Sequence, residues 1–81
     1  RNVDAYAGLA DAYFEAGEHD RALHYARLAA RREPGVARHH LRLGDSYYRV
    51  ARHDEAIAEY RRAAELGSRQ ARRRLEQLDR R

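Results

Sequence analysis

The sequence repeats itself with a period of about 34 residues, and this periodicity limits the fold more than any other feature. The segment HDRALHYARLAA at 19–30 returns as HDEAIAEYRRAA at 53–64. Between the first unit and the second, nine positions are identical in this register: Leu9 and Leu43, Asp11 and Asp45, Tyr13 and Tyr47, His19 and His53, Asp20 and Asp54, Ala22 and Ala56, Arg27 and Arg61, Ala29 and Ala63, and Ala30 and Ala64. A unit of this length cannot bury its apolar face alone, so successive units are expected to stack.

Within each unit, apolar residues recur at intervals of three and four, the period of an amphipathic helix. The sets are Tyr6, Leu9, Ala10 and Tyr13; Ala22, Leu23, Ala26 and Ala29; Leu43, Gly44, Tyr47 and Val50; Ala56, Ile57, Tyr60 and Ala63; and a weaker set of Ala71, Leu75 and Leu78. No alternating pattern of the strand type is present. The sequence therefore predicts an all-α fold of five helices, at about 3–16, 20–32, 36–50, 54–66 and 69–79.

Turn residues separate these helices. Gly17 and Gly67 follow helical patterns and are expected to take the left-handed conformation that ends a helix. Pro34 and Gly35 mark a break near the middle of the chain. Three side chains are expected to cap the first free amides of the next helix: Asp20, Asp54 and Ser68. Connections this short make consecutive helices antiparallel neighbours.

The net charge of +4 lies entirely in the last segment. Residues 1–68 hold eleven arginines and eleven acidic residues, whereas residues 69–81 hold six arginines against Glu76 and Asp79. A basic tail suggests nucleic acid or an anionic membrane surface as a partner. However, the tail also carries a narrow apolar stripe and has no aromatic residue for base stacking. We therefore favour a solvated capping helix with a basic outer face.

Composition excludes several classes of protein. Without cysteine, the chain has no disulfide framework and no thiolate chemistry. No apolar run is long enough to span a bilayer or to act as a signal peptide, so no membrane insertion is expected and the cytoplasm is slightly favoured. All seventeen basic residues are arginine and the chain starts without methionine. The arginine bias suggests a GC-rich, bacterial genome, and the missing initiator methionine suggests a piece of a longer protein.

The five histidines do not form a pattern typical of a metal site. His39 and His40 are adjacent, so they point about 100° apart on a helix, and no pair is spaced for joint ligation. His19 and His53 occupy equivalent turns, where we expect them to pack across the turn. We predict no metal site.

Catalytic patterns are also missing from the sequence. Ser46 and Ser68 lie in no nucleophile motif, and there is no glycine-rich phosphate loop. Carboxylates stand beside arginines at helical spacing, as Glu59 and Arg62 do, which suggests a salt-bridged surface. We predict neither enzyme activity nor a cofactor.

Each unit resembles a tetratricopeptide repeat, a helix-turn-helix of about 34 residues. The first unit carries the family pattern as Tyr6, Leu9, Ala10, Tyr13, Ala22, Ala29 and Pro34, and the second as Leu43, Gly44, Tyr47, Ala56, Tyr60 and Ala63. His40 and Ala26 stand where the pattern has large aromatics, and Ser68 replaces the closing proline. The resemblance implies an α-solenoid of antiparallel helix pairs in a right-handed superhelix, with repeats at 3–36 and 37–68 and a capping helix at 69–81.

The resemblance also implies a protein-interaction module that binds a protein or peptide in a concave groove formed by the first helix of each repeat. The groove positions carried over to this chain are Asp4, Ala7, Asp11, Phe14, Glu15, Arg38, Leu41, Arg42, Asp45, Tyr48 and Arg49. This order of charges suits a segment with basic residues at one end and acidic residues at the other, anchored by apolar side chains against Phe14 and Tyr48. The carboxylate clamp known in the family is not expected, because Asp11 and Asp45 stand where it needs asparagine.

Two other functions stay open. The first is a structural scaffold in which repeat ends stack into a homo-oligomer, through Val3, Tyr6 and the face of the first helix, because two units are fewer than such arrays usually need. The second is nucleic-acid binding through the arginine-rich last helix, which the absence of aromatics disfavours. No small-molecule substrate is expected.

Overall fold

Five helices follow one another in a computed structural model that describes residues 2–80. They are α1 (Asn2–Glu15), α2 (His19–Arg32), α3 (Ala37–Arg49), α4 (His53–Glu65) and α5 (Arg69–Asp79), and the described residues include no strand. Short connections join them, and each helix packs against the next. The predicted all-α helical repeat solenoid is confirmed. Arg1 and Arg81, the ends of the predicted domain, lie outside the described residues.

The turns inside the two units end their first helices in the same way. Gly17 has a φ of +80°, and Ala51, its equivalent in the second unit, has a φ of +65°. Gly67 has a φ of +105°, so the predicted left-handed glycines at 17 and 67 are confirmed. A side chain in this conformation costs roughly 1–2 kcal/mol, which a glycine avoids. Ala51 therefore holds a strained backbone that the sequence pattern did not predict.

The predicted helix caps are confirmed at one position and wrong at two. Ser68 caps α5, since its Oγ accepts a hydrogen bond of 3.1 Å from the Ala71 amide. Asp20 and Asp54 are not caps, because α2 and α4 begin one residue earlier than predicted and neither helix has a side-chain cap. Both aspartates lie in the first turn instead, where a negative charge still interacts favourably with the helix dipole.

Small residues let the helices of each pair approach closely. In the second pair, Gly44 of α3 faces the ring of Tyr60 from α4, and a Cβ at Gly44 would stand 2.7 Å from two carbons of that ring. In the first pair, the equivalent positions are Ala10 and Ala26, and both are buried. The two units therefore pack differently at this position. In the second unit the missing Cβ of Gly44 makes room for the Tyr60 ring, and in the first unit both positions are buried alanines.

His40 replaces a packing aromatic with a polar contact between α3, α4 and the loop before α3. Its Nε2 lies 2.7 Å from the Pro34 carbonyl oxygen, and its Nδ1 lies 2.8 Å from Glu59 Oε1. The prediction that Glu59 pairs with Arg62 is therefore wrong. Glu59 contacts His40, while Arg62 lies 3.5 Å from Glu65. Two buried ring nitrogens are satisfied in this way, as a buried imidazole requires.

Candidate functional site

An open cavity of about 980 Å³ runs along the face shared by α1, α3 and α5. We call it the groove, and its lining residues are Asp11, Phe14, Glu15, Arg38, Leu41, Arg42, Asp45, Tyr48, Arg49, Tyr60, Gln70, Arg74, Gln77 and Leu78. The helices α1, α3 and α5 supply the walls, because every second helix of the stack faces the same side. Residues of α3 at intervals of three and four form the centre, as expected for one face of a helix.

Nine of the eleven residues predicted for this site line the groove. Ala7 borders a much smaller neighbouring cavity, and Asp4 is exposed and lines neither. The wall supplied by α4 and α5 was not predicted from the sequence, and its residues are Tyr60, Gln70, Arg74, Gln77 and Leu78. The sequence predicted α5 only as a cap with a basic outer face. Arg74 in fact turns inward, whereas Arg72 and Arg73 are exposed.

Two aspartate–arginine pairs connect the three helices across the groove. Arg42 Nε of α3 donates to Asp11 Oδ1 of α1 at 2.8 Å. Arg74 of α5 donates to Asp45 of α3 through Nε at 2.6 Å and through Nη2 at 3.2 Å. Each arginine is the sixth residue of its helix. The contact is therefore a repeated one: Asp11 of α1 binds the sixth residue of α3, and Asp45 of α3 binds the sixth residue of α5.

The α3–α5 pair is the more buried of the two. The Asp45 side chain is 11% exposed, against 55% for Asp11. Asp45 Oδ1 also accepts a hydrogen bond of 2.6 Å from the Tyr60 hydroxyl. Burial, and then this hydrogen bond, raise the pKa of Tyr60 well above its ordinary value. The hydrogen bond to Asp45 likewise raises the pKa of Arg74. Asp45 is consequently a structural centre of the groove as well as part of its lining.

Two aromatic residues of the groove, Phe14 and Tyr48, lie against cationic or imidazole partners. The Arg42 guanidinium carbon is 4.4 Å from the centre of the Phe14 ring, and that of Arg49 is 5.4 Å from it. These distances fit cation–π contacts. The ring centre of Phe14 is 5.1 Å from that of His19, and the ring centre of Tyr48 is 4.8 Å from that of His53. The expectation that His19 and His53 pack across their turns is confirmed.

Two negative findings concern the residues that the structure describes. Between residues 2 and 80, no group of three or more histidine, cysteine or acidic side chains is arranged to hold a metal ion. Over the same range, no helix has the length and apolar character needed to cross a membrane.

The fold and the groove define an α-helical repeat protein with a surface open to a ligand. Comparison with protein families identifies which repeat it is: a tetratricopeptide-repeat model matches residues 3–46, and a second one matches residues 37–66. The chain belongs to the tetratricopeptide-repeat family. Repeats of this family generally mediate protein–protein interactions and are typically non-catalytic. No curated protein matches the chain.

Proposed function

We propose that this chain is a non-catalytic interaction module of a larger, bacterial protein and that it binds a protein or peptide segment in the groove. The observation that carries the proposal is the groove itself, which brings nine residues from two successive repeats around one cavity. Its volume of about 980 Å³ lies at the upper end of the range for ligand sites. Apolar side chains of Leu41, Tyr48 and Leu78 alternate there with charged ones, as in surfaces that recognise peptides.

The test is a selection of random peptides of moderate length, displayed on phage, against the folded chain. We expect the selected peptides to bind at least about tenfold more weakly after Phe14→Ala together with Tyr48→Ala, because aromatic anchors carry much of the affinity of such interfaces. The matched control is Tyr13→Ala with Tyr25→Ala, a stacked pair of rings that lies outside the groove. Equal binding by the groove variant and by the unsubstituted chain would show that the groove is not the site.

An exposed face of α1 favours a second candidate function, stacking of repeat ends. Leu9 is 38% exposed, whereas its equivalent Leu43 is 4% exposed because α2 covers α3. Ala5 and Ala12 are likewise exposed, although their equivalents His39 and Ser46 are buried. No helix within residues 2–80 covers this face of α1 as α2 covers α3.

If this face self-associates, the mass measured by sedimentation will rise with protein concentration. The Leu9→Glu variant will then remain monomeric over the same concentrations. Burying a charge without a partner is costly, so the substitution opposes any contact through this face. Ala58→Glu is the matched control, since Ala58 is exposed on α4 and the substitution adds the same charge. A mass that stays monomeric at every concentration would exclude the scaffold.

A further inference from the structure

We propose that the segment bound in the groove is acidic, with two carboxylate side chains that flank an apolar centre. This inference rests on the proposed function, because it specifies the ligand of the same site. The evidence for it is that some groove charges already have a partner within the described chain and others do not. It replaces the segment of mixed charge that the order of residues along the sequence predicted.

The groove is lined by four arginines and three carboxylates, but most of them neutralise one another. Asp11 is held by Arg42, and Asp45 is held by Arg74. The acidic half that the sequence predicted is therefore largely compensated inside the molecule. A ligand cation would have to compete with Arg42, which lies 2.8 Å from Asp11, or with Arg74, which lies 2.6 Å from Asp45.

The charges that remain are mainly positive. Arg38 and Arg49 are exposed, and neither forms an ion pair with any residue between 2 and 80. Glu15 is the one lining carboxylate without an ion pair over the same range. Glu15 lies at the end of α1, beside Phe14, which the Arg49 guanidinium approaches. Two arginines against one glutamate leave an electropositive surface, which attracts a negatively charged partner.

The positions of the two arginines set the spacing of the ligand. Arg38 lies in the first turn of α3 and Arg49 is its last residue. The two arginines are eleven positions apart in sequence, which corresponds to about 16 Å along a helix axis and to about three full turns, so both share one face. An extended peptide advances about 3.3 Å per residue. A peptide lying along α3 would cover this distance in about five steps, but successive side chains of an extended peptide alternate between two faces. Carboxylates that meet both arginines therefore stand roughly four or six positions apart. Leu41 and Tyr48 lie between the two arginines and are available to apolar side chains of the peptide.

The experiment measures binding of short synthetic peptides that contain two glutamates roughly four or six positions apart, on one face of an extended chain, with leucine and phenylalanine between them. The comparison peptides replace both glutamates by glutamine or by lysine. We expect the glutamate peptide to bind at least about tenfold more tightly than the glutamine peptide, since hydrogen bonds to charged groups are the strong ones. Its affinity should also fall as salt is raised.

Two charge-matched variants localise the effect. Arg38→Gln with Arg49→Gln should abolish the preference for glutamate, whereas Arg72→Gln with Arg73→Gln, which removes the same charge from the outer face of α5, should preserve it. Loss of the preference in the Arg72 and Arg73 variant would overturn the inference and place acidic binding on the outer face.

The outcomes separate this inference from the proposed function. If peptides bind in the groove, as judged by the Phe14 and Tyr48 variant, but the glutamine or lysine forms bind as well as the glutamate form, the acidic ligand is wrong and the groove function stands. If no peptide binds in a groove-dependent manner, both are wrong.

Discussion

Gly44→Ala is expected to lower the free energy of unfolding by about 1–3 kcal/mol, although alanine is the better helix former. The added Cβ would stand 2.7 Å from Cδ1 and Cε1 of Tyr60 and 3.3 Å from the Ala56 carbonyl oxygen. The ring cannot swing aside easily, because Tyr60 is 2% exposed and its hydroxyl is bound to Asp45. Chemical unfolding in urea measures the effect as a lower midpoint with an unchanged slope.

Gly8→Ala is the matched control, since Gly8 lies within α1 and a Cβ there would meet nothing within 4 Å. Relief of the cost of a helical glycine should stabilise this variant by roughly 0.5–1 kcal/mol. A second check adds Tyr60→Ala, which recreates the alanine pair of the first unit, Ala10 with Ala26. In that background Gly44→Ala should no longer destabilise. If Gly44→Ala is neutral or stabilising on its own, the close approach of α3 and α4 is not limiting.

The helices were predictable from sequence because their apolar period and their repetition are local properties. The groove face was predicted from the resemblance to the tetratricopeptide repeat. The repetition adds only that the faces of α1 and α3 are equivalent, as Asp11 and Asp45 are. The wall formed by α5 was not predictable in this way. Both α4 and the connection after it are shorter than their counterparts in the first unit, so the register of the repeat does not align Arg74 with Arg42.

Contacts between distant residues were the other feature that the sequence could not predict. Glu59 has an arginine three positions away on its own helix, yet it contacts His40, which lies on the neighbouring helix. The two aspartate–arginine pairs join residues 31 and 29 positions apart. Such pairs depend on how the helices stack, and they decide which groove charges are left for a ligand.

Asp45→Ala is expected to lower the free energy of unfolding by about 2–3 kcal/mol, because it leaves the Tyr60 hydroxyl and the Arg74 guanidinium without their acceptor. Removing one partner of a fully buried ion pair costs about 3–5 kcal/mol. The smaller value applies here because the Arg74 side chain is 39% exposed, so water can solvate the freed charge. Urea unfolding gives the difference, and the loss of the α5 contact should also speed hydrogen exchange in that helix first.

Asp11→Ala tests whether burial is what makes the Asp45 contact strong. Asp11 is the equivalent residue of the first unit and makes the equivalent arginine contact, but its side chain is 55% exposed. An exposed pair contributes little, so this variant should lose less than about 1 kcal/mol. Equal losses in the two variants would contradict the explanation, since both aspartates bind the sixth residue of a later helix. The contacts differ in burial, in the second hydrogen bond from Arg74 and in the hydrogen bond from Tyr60. The difference between the two losses therefore measures what burial and the additional hydrogen bonds contribute to the Asp45 contact, which joins α3, α4 and the third wall of the groove, α5.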